Sequence, residues 1–437
     1  MMGDEQRLLA LLIGYRVRKL RQSRKLSQLT LARGIVGQSM MSQIETGRQI
    51  PAYEVLVLLN ERLNDEMLRQ YTVLVTSPVI NMREIPLPNK EDIVSILDYN
   101  RAHWTVAHFK LAGYLCAMHY EDRDFLSLRD VAARILDNAI SGDSKALGAY
   151  YFGTALLFLG QMEDSSEYLL LAEKQLKQLD AKFHGLVFYN LGFVYTQLEY
   201  YGQAMWYAKM AIEEFQHLGD ILRYGKALGL IGTIQSRMGK YHDAEKSFEQ
   251  SYMVLQKWGA AETDLARVEL NLANVYESLE LLTEAKKWCQ LGLKRNTDPV
   301  TLSSLHMIMT RIYLTLDLEE DAMEHYVWAR EMADRSRDAR TIAMAELLGT
   351  RVHTSMPEKI QAARRAYEVT KDKYHLQHAL ACEILAQLCS QDSGFSPEVD
   401  TLQRESIATY REFVASHVAL DKSIGFSALA HRPSVST

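Results

Sequence analysis

Residues 229–251 read "GLIGTIQSRMGKYHDAEKSFEQS", and residues 270–292 read "LNLANVYESLELLTEAKKWCQLG". Aligned, the two stretches place a small residue near the start (Gly232, Ala273) and an alanine twelve positions later (Ala244, Ala285). Segments 150–172, 189–211 and 307–329 follow the same plan, with Gly153, Gly192 and Thr310 first and Ser165, Ala204 and Ala322 after them. The small residues stand 39, 40, 41 and 37 positions apart. A unit of that length with small residues at two fixed places predicts a stack of helical hairpins, each pair of helices meeting closely where side chains are smallest. Weaker copies are expected at about 103–140, 339–371 and 375–416.

The pattern of Gly/Ala, Tyr, turn, Ala and aromatic resembles the tetratricopeptide repeat, which implies a right-handed superhelix with a groove lined by the first helix of each pair. Composition agrees with an all-α chain. Of 437 residues only 8 are Pro, 48% are apolar, and the Val/Thr/Gly-rich runs of sheet proteins are missing. Three prolines, Pro78, Pro86 and Pro88, fall within eleven residues, so a linker is expected at 73–90, between a head (1–72) and a repeat body (91–424). The end, "FSALAHRPSVST", suggests a flexible tail at 425–437.

The head has a different grammar. Leu8, Leu11, Leu12, Tyr15 and Leu20 recur near helical period, giving a first helix whose polar face is mainly Arg and Lys. In "LSQLTLARGIVGQSMMSQIETGRQIP" (26–51), Ser27 is placed to cap a second helix with Leu29 and Ala32 turned inward. Gly34 and Gly37 bracket a turn, and "QSMMSQIE" forms a third helix that buries Met41 and Ile44. Gly47 stops it, and a further helix is expected from Pro51 to about Thr72. Gln38, Ser39 and Gln43 are left facing out. Side-chain amides there can offer donor and acceptor together to an adenine edge, while flanking Arg18, Arg24, Lys25 and Arg48 neutralise phosphates. The first 50 residues hold nine Lys/Arg against three acids, so they carry +6 and the remainder −12 of a total of −6. A basic head on an acidic body suits a head that meets a polyanion.

Arg21, "LSQ" at 26–28, "LA" at 31–32, "MSQIE" at 41–45, Gly47 and Pro51 together resemble the Cro/repressor-like (XRE) helix-turn-helix. That resemblance implies a phosphate contact at Gln28 and the second-helix N-terminus, and a structural ion pair between Arg21 and Glu45. The turn after "LA" is one residue shorter than in most such domains, as in peptide-sensing regulators. Head, proline linker and repeats together resemble the Rap/Rgg/NprR/PlcR/PrgX (RRNPP) group, most nearly its NprR-like branch. The resemblance implies a cytoplasmic, non-enzymatic transcription regulator that forms a homodimer or higher oligomer. Its implied partners are pseudo-palindromic double-stranded DNA and a short signalling peptide. The groove-facing places of the repeat are Tyr150, Thr154, Asn190, Phe193, Gln197, Lys226, Thr233, Arg237, Arg267, Asn271, Asn274 and Arg311, a set with three Asn and four cations suited to a peptide bearing a carboxylate. The group also implies an alternative, a Rap-like scaffold that sequesters a phosphorelay response regulator.

No Walker loop, GxSxG or HExxH is present, and the N-terminal "LLALLIGY" is too short for a membrane span. Cys116, Cys289, Cys382 and Cys389 are scattered, fit no disulfide framework and point to a reducing compartment. His375, His378, Cys382 and Cys389 could share a helical face, but buried cysteine in helix packing is the ordinary reading. No metal or other cofactor is therefore expected.

Overall fold

The computed structural model describes residues 3–77, 80, 84–99, 103–295, 298–371, 375–393 and 396–428; for His375, Ser393 and 413–428 it describes the backbone only. Among these residues the chain is helical throughout, with no strand. It divides into two compact units, Met1–Val187 and Phe188–Thr437. The division falls inside the repeat array and not at the expected 73–90 linker.

The first unit begins with α1 (Asp4–Ser23), α2 (Gln28–Ala32), α3 (Gln38–Glu45), α4 (Tyr53–Leu63) and α5 (Glu66–Val75). Then come α6 (Lys90–Tyr99) and the hairpins α7 (Val106–Glu121)/α8 (Phe125–Asp137) and α9 (Gly142–Phe158)/α10 (Met162–Lys174). The second unit starts within α11 (His184–Gln197), paired with α12 (Tyr201–His217). It continues with α13 (Ile221–Arg237)/α14 (Tyr241–Lys257), α15 (Glu262–Ser278)/α16 (Leu282–Leu293) and α17 (Pro299–Thr315)/α18 (Glu319–Ser336). The last pairs are α19 (Ala339–Val352)/α20 (Met356–Thr370) and α21 (His375–Ser393)/α22 (Pro397–Ala428). Of the expected tail, 425–428 belong to α22, and 429–437 lie outside the described residues, as does Pro78.

The small residues mark the helix crossings. A Cβ on Gly232 would stand 2.8 Å from the Phe248 ring of the paired helix, and one on Gly153 would stand 2.9 Å from Leu169. Ala204, Ala244, Ala285 and Ala322 are fully buried. Ser165, which replaces the alanine, is buried too, and its hydroxyl donates to the Gly153 carbonyl at 2.8 Å. Seven positions after each small residue the backbone turns left-handed, at Gly160, Glu199, Gly239, Glu280 and Asp317, with φ between 56° and 82°. This residue lets the second helix fold back, and only two of the five repeats use the glycine that the conformation favours.

The head departs from expectation in three places. Its first helix is buried nearly all round, Leu8 through Tyr15, because α3, α4 and α5 pack on it as well as α7. Leu31, and not Leu29, joins Ala32 in the core, and Leu29 is 61% exposed. The helix expected over 51–72 breaks at Asn64, whose left-handed backbone (φ 37°) ends α4, while Asp65 caps α5 by accepting from the Leu68 amide at 2.9 Å.

Candidate nucleic-acid interface and repeat face

Ser27 begins α2 as expected, accepting from the Thr30 amide at 3.0 Å. After the turn at Gly34 (φ 74°), α3 spans the eight residues 38–45, with Met41 and Ile44 fully buried. Its seat is exact because two glycines let backbones touch: a Cβ on Gly14 of α1 would lie 2.2 Å from the Ile44 carbonyl oxygen, and one on Gly47 would lie 2.7 Å from Leu11 Cα. Glu45, 3% exposed, locks the other side. It accepts from Arg21 at 2.5 and 2.9 Å and from the Gln28 amide at 2.7 Å. The pairing raises the Arg21 pKa further, chiefly through the hydrogen bond to Glu45.

This lock corrects one assignment. A carboxylate buried in α3 needs donors for its lone pairs, and Gln28 is drawn inward to supply one, so its bonded N–H is not held out toward a phosphate. Two cations are also employed internally. Arg24 donates to the carbonyls of Arg62 (2.5 Å) and Leu63, which the end of α4 leaves without helical partners. Arg18 lies 3.4 Å over the Tyr99 ring of α6. Lys25 and Arg48 are exposed and have no partner among the described residues, and Arg33 shares that condition.

Gln38, Ser39 and Gln43 are exposed on α3, as the sequence predicts. Ser42 and Met40 share their exposure and were missed, although Ser42 follows Gln38 by one helical turn. Gly37, which precedes α3, offers no side-chain cap, so the first amides of the helix carry no such partner. The head is joined to α6 by Asp92, which accepts from Tyr15 Oη at 2.7 Å and from Lys19. Burial works against the Asp92 charge, yet these bonds hold its pKa below the ordinary carboxylate value.

In the second unit, Arg267, Asn271 and Asn274 form a stripe along α15 at helical spacing. Asn274 Nδ2 donates to the Leu270 carbonyl at 3.1 Å, and its Oδ1 accepts from Arg311 of α17 at 3.4 Å. Arg311 itself is held by Glu277 through two 2.6 Å bonds, and Lys226 of α13 pairs with Asp264 at 2.8 Å. Two of the four cations are thus neutralised by acids on the same face, which the sequence reading overlooked although Asp264 and Glu277 sit three residues from Arg267 and Asn274. Arg267 and Arg237 are exposed, Asn190 and Asn271 half-buried. Thr233 spends its hydroxyl on the Gly229 carbonyl at 3.0 Å. Tyr150 belongs to the first unit's core, 6% exposed with its ring against Tyr151 and Phe183. Its burial removes it from the groove set.

Residues 17–64 match the helix-turn-helix family model HTH_3. The chain is 23% identical over 333 residues, 71% of its length and 80% of the relative's, to the transcriptional activator NprA of Geobacillus stearothermophilus. The peptide-free quorum sensor NprR from B. thuringiensis shares the fold at a TM-score of 0.58 and 17% identity, over 80% of this chain and 99% of that one. NprR in complex with its cognate peptide NprX gives 0.55 and 18%, over 75% and 94%. No helix among the described residues is long and apolar enough to cross a membrane. The chain thus places a helix-turn-helix of the HTH_3 family ahead of helical repeats, is similar in sequence to NprA, and shares its fold with NprR.

Proposed function

We propose that the chain is a cytoplasmic, peptide-responsive transcription regulator and not an enzyme. Residues 1–72 engage double-stranded DNA through α3, residues 91–424 bind a short signalling peptide and assemble a homodimer or higher oligomer, and two heads read a pseudo-palindrome. The observation that carries this reading is the contrast across α3. One face is fixed by the Gly14–Gly47 approach and by Glu45, and the other presents Gln38, Ser39 and Gln43 to solvent beside unpartnered Lys25, Arg33 and Arg48. An amide-bearing helix held that firmly suits base reading, with the cations on phosphates. Arg267, Asn271 and Asn274 supply donors and acceptors for a peptide backbone, and NprR's complex with NprX supports a peptide as occupant.

The test is selection of duplexes from a random pool by the full-length chain, with and without synthetic heptapeptides from any short secreted reading frame adjoining the gene. An enriched inverted repeat with half-sites roughly 34 Å or a multiple apart is expected. Binding should weaken roughly 5- to 150-fold on Gln43→Ala, the value of one good base contact. No enrichment, or attachment insensitive to salt, refutes the DNA assignment. Peptide that alters neither DNA affinity nor mass refutes the coupling. The sequestering alternative makes the opposite prediction, since it survives Gln38→Glu with Gln43→Glu intact.

A further inference from the structure

Three ligand-type atoms converge in the C-terminal part of the second unit. His378 and Cys382 lie one turn apart on α21, and Glu405 faces them from α22. Cys382 Sγ is 3.6 Å from His378 Nε2, which is 3.0 Å from Glu405 Oε1, and all three atoms lie within 4.8 Å of one another. His378 and Cys382 are buried, and Glu405 is 30% exposed.

The surrounding hydrogen bonds decide what this meeting needs. The buried Thr370 hydroxyl donates to the Ala366 carbonyl at 2.8 Å, so toward His378 Nδ1, 3.1 Å away, it can only accept. With Nδ1–H donating to Thr370, an imidazole that carries one proton turns the lone pair of Nε2 toward the Glu405 carboxylate. Lone pair against carboxylate is repulsive unless a positive species stands between them. Tyr367 donates to Glu405 Oε2 at 3.1 Å, which fixes the carboxylate in that position. An outer hydrogen bond that sets the histidine tautomer, and another that orients the carboxylate, is the arrangement that supports metal ligands.

We infer that His378, Cys382 and Glu405 bind a thiophilic divalent cation of the zinc class. Tetrahedral bonds of ~2.0–2.3 Å set ligand atoms roughly 3.3–3.8 Å apart, a range that includes the 3.6 Å between Cys382 Sγ and His378 Nε2, while the 3.0 Å between Nε2 and Glu405 Oε1 has to widen by a few tenths of an ångström to admit the ion. A nitrogen, a sulfur and an oxygen suit zinc and exclude calcium and magnesium, which take oxygen alone. Three protein ligands leave a fourth position for water or an exchangeable group, and the ion ties α21 to α22.

Full-length protein, reduced and dialysed against a chelator, is titrated with Co²⁺ and then Zn²⁺. One Co²⁺ per chain is expected, with a near-ultraviolet thiolate-to-cobalt charge-transfer band that Zn²⁺ abolishes. Cys382→Ser removes the band, Cys389→Ser keeps it, and circular dichroism checks the fold of each. If Cys382→Ser fails to fold, Glu405→Gln carries the test, with affinity at least tenfold weaker and a Zn²⁺-dependent rise in melting temperature lost. A folded wild-type chain without the band means that a proton fills the place and overturns the inference. A band that survives Cys382→Ser, or wild-type affinity in Glu405→Gln, does the same.

Discussion

Glu45 and Gln43 stand two residues apart on α3 and are assigned opposite work, so their alanine variants form a single experiment. Glu45 holds Arg21 by two bonds and Gln28 by a third, with the two charged side chains only 2% and 14% exposed. Breaking a buried ion pair from one side costs about 3–5 kcal/mol. Arg21 keeps one acceptor, the Leu26 carbonyl at 2.9 Å, and half-buried Gln28 can turn to water, which puts Glu45→Ala at about 3 kcal/mol. That corresponds to a roughly 150-fold rise in the opening of α3 from its seat. Hydrogen exchange of the full chain, read on segments covering 38–45, measures it directly. Gln43→Ala should leave exchange there unchanged while weakening DNA binding. Wild-type protection in Glu45→Ala, or lost protection in Gln43→Ala, would show that the division into holding and reading residues is mistaken.

Other expectations concern the crossings, the turns and the buried histidines. Gly14→Ala pushes a Cβ into the Ile44 carbonyl and should cost about 2–3 kcal/mol, seen as a lower melting temperature together with weaker DNA binding. Glu280→Gly relieves a left-handed non-glycine residue and should stabilise by less than about 1 kcal/mol in urea unfolding; destabilisation would contradict the turn assignment. His306 and His325 face each other through Nδ1 atoms 2.8 Å apart. Burial first, then His325, depresses His306 to about 4, and burial lowers His325 too. Below the ordinary 6.5 the unfolded chain takes up protons that the folded one refuses, so stability should fall as pH drops toward 4. The loss is of order 1–2 kcal/mol after allowing for partial exposure, and His306→Asn should flatten it in melts at pH 7 and 5.

What could be read from the sequence was local or periodic. The repeat spacing, the Ser27 cap, the ends of α3 and its outward Gln38, Ser39 and Gln43 all follow from i, i+3, i+4 geometry and cap chemistry. The break at Asn64 was legible as well, since Asn then Asp is a left-handed stop followed by a cap, but an apolar run on both sides masked it. Other features depend on neighbours distant in the chain. Arg24 finds its carbonyls 38 and 39 residues away, Arg311 finds Glu277 34 away, and Asp92 meets Tyr15 across 77. No local pattern separates such a cation from one left to solvent. Nothing near Gly14 in the sequence signals its role, and only the opposing backbone of α3 shows why it has no side chain.

The burial of α1 on all sides over Leu8–Tyr15 bears on how this chain can be cut and recombined. A helix that is at once the floor of the helix-turn-helix and a packing partner of α7 has no spare side to offer to solvent. A graft of this head onto a foreign body should therefore be severed just ahead of α11, near residue 183, carrying α6 to α10 along. A splice in the proline segment would leave leucines bare and would trade a folded head for a seed of aggregation.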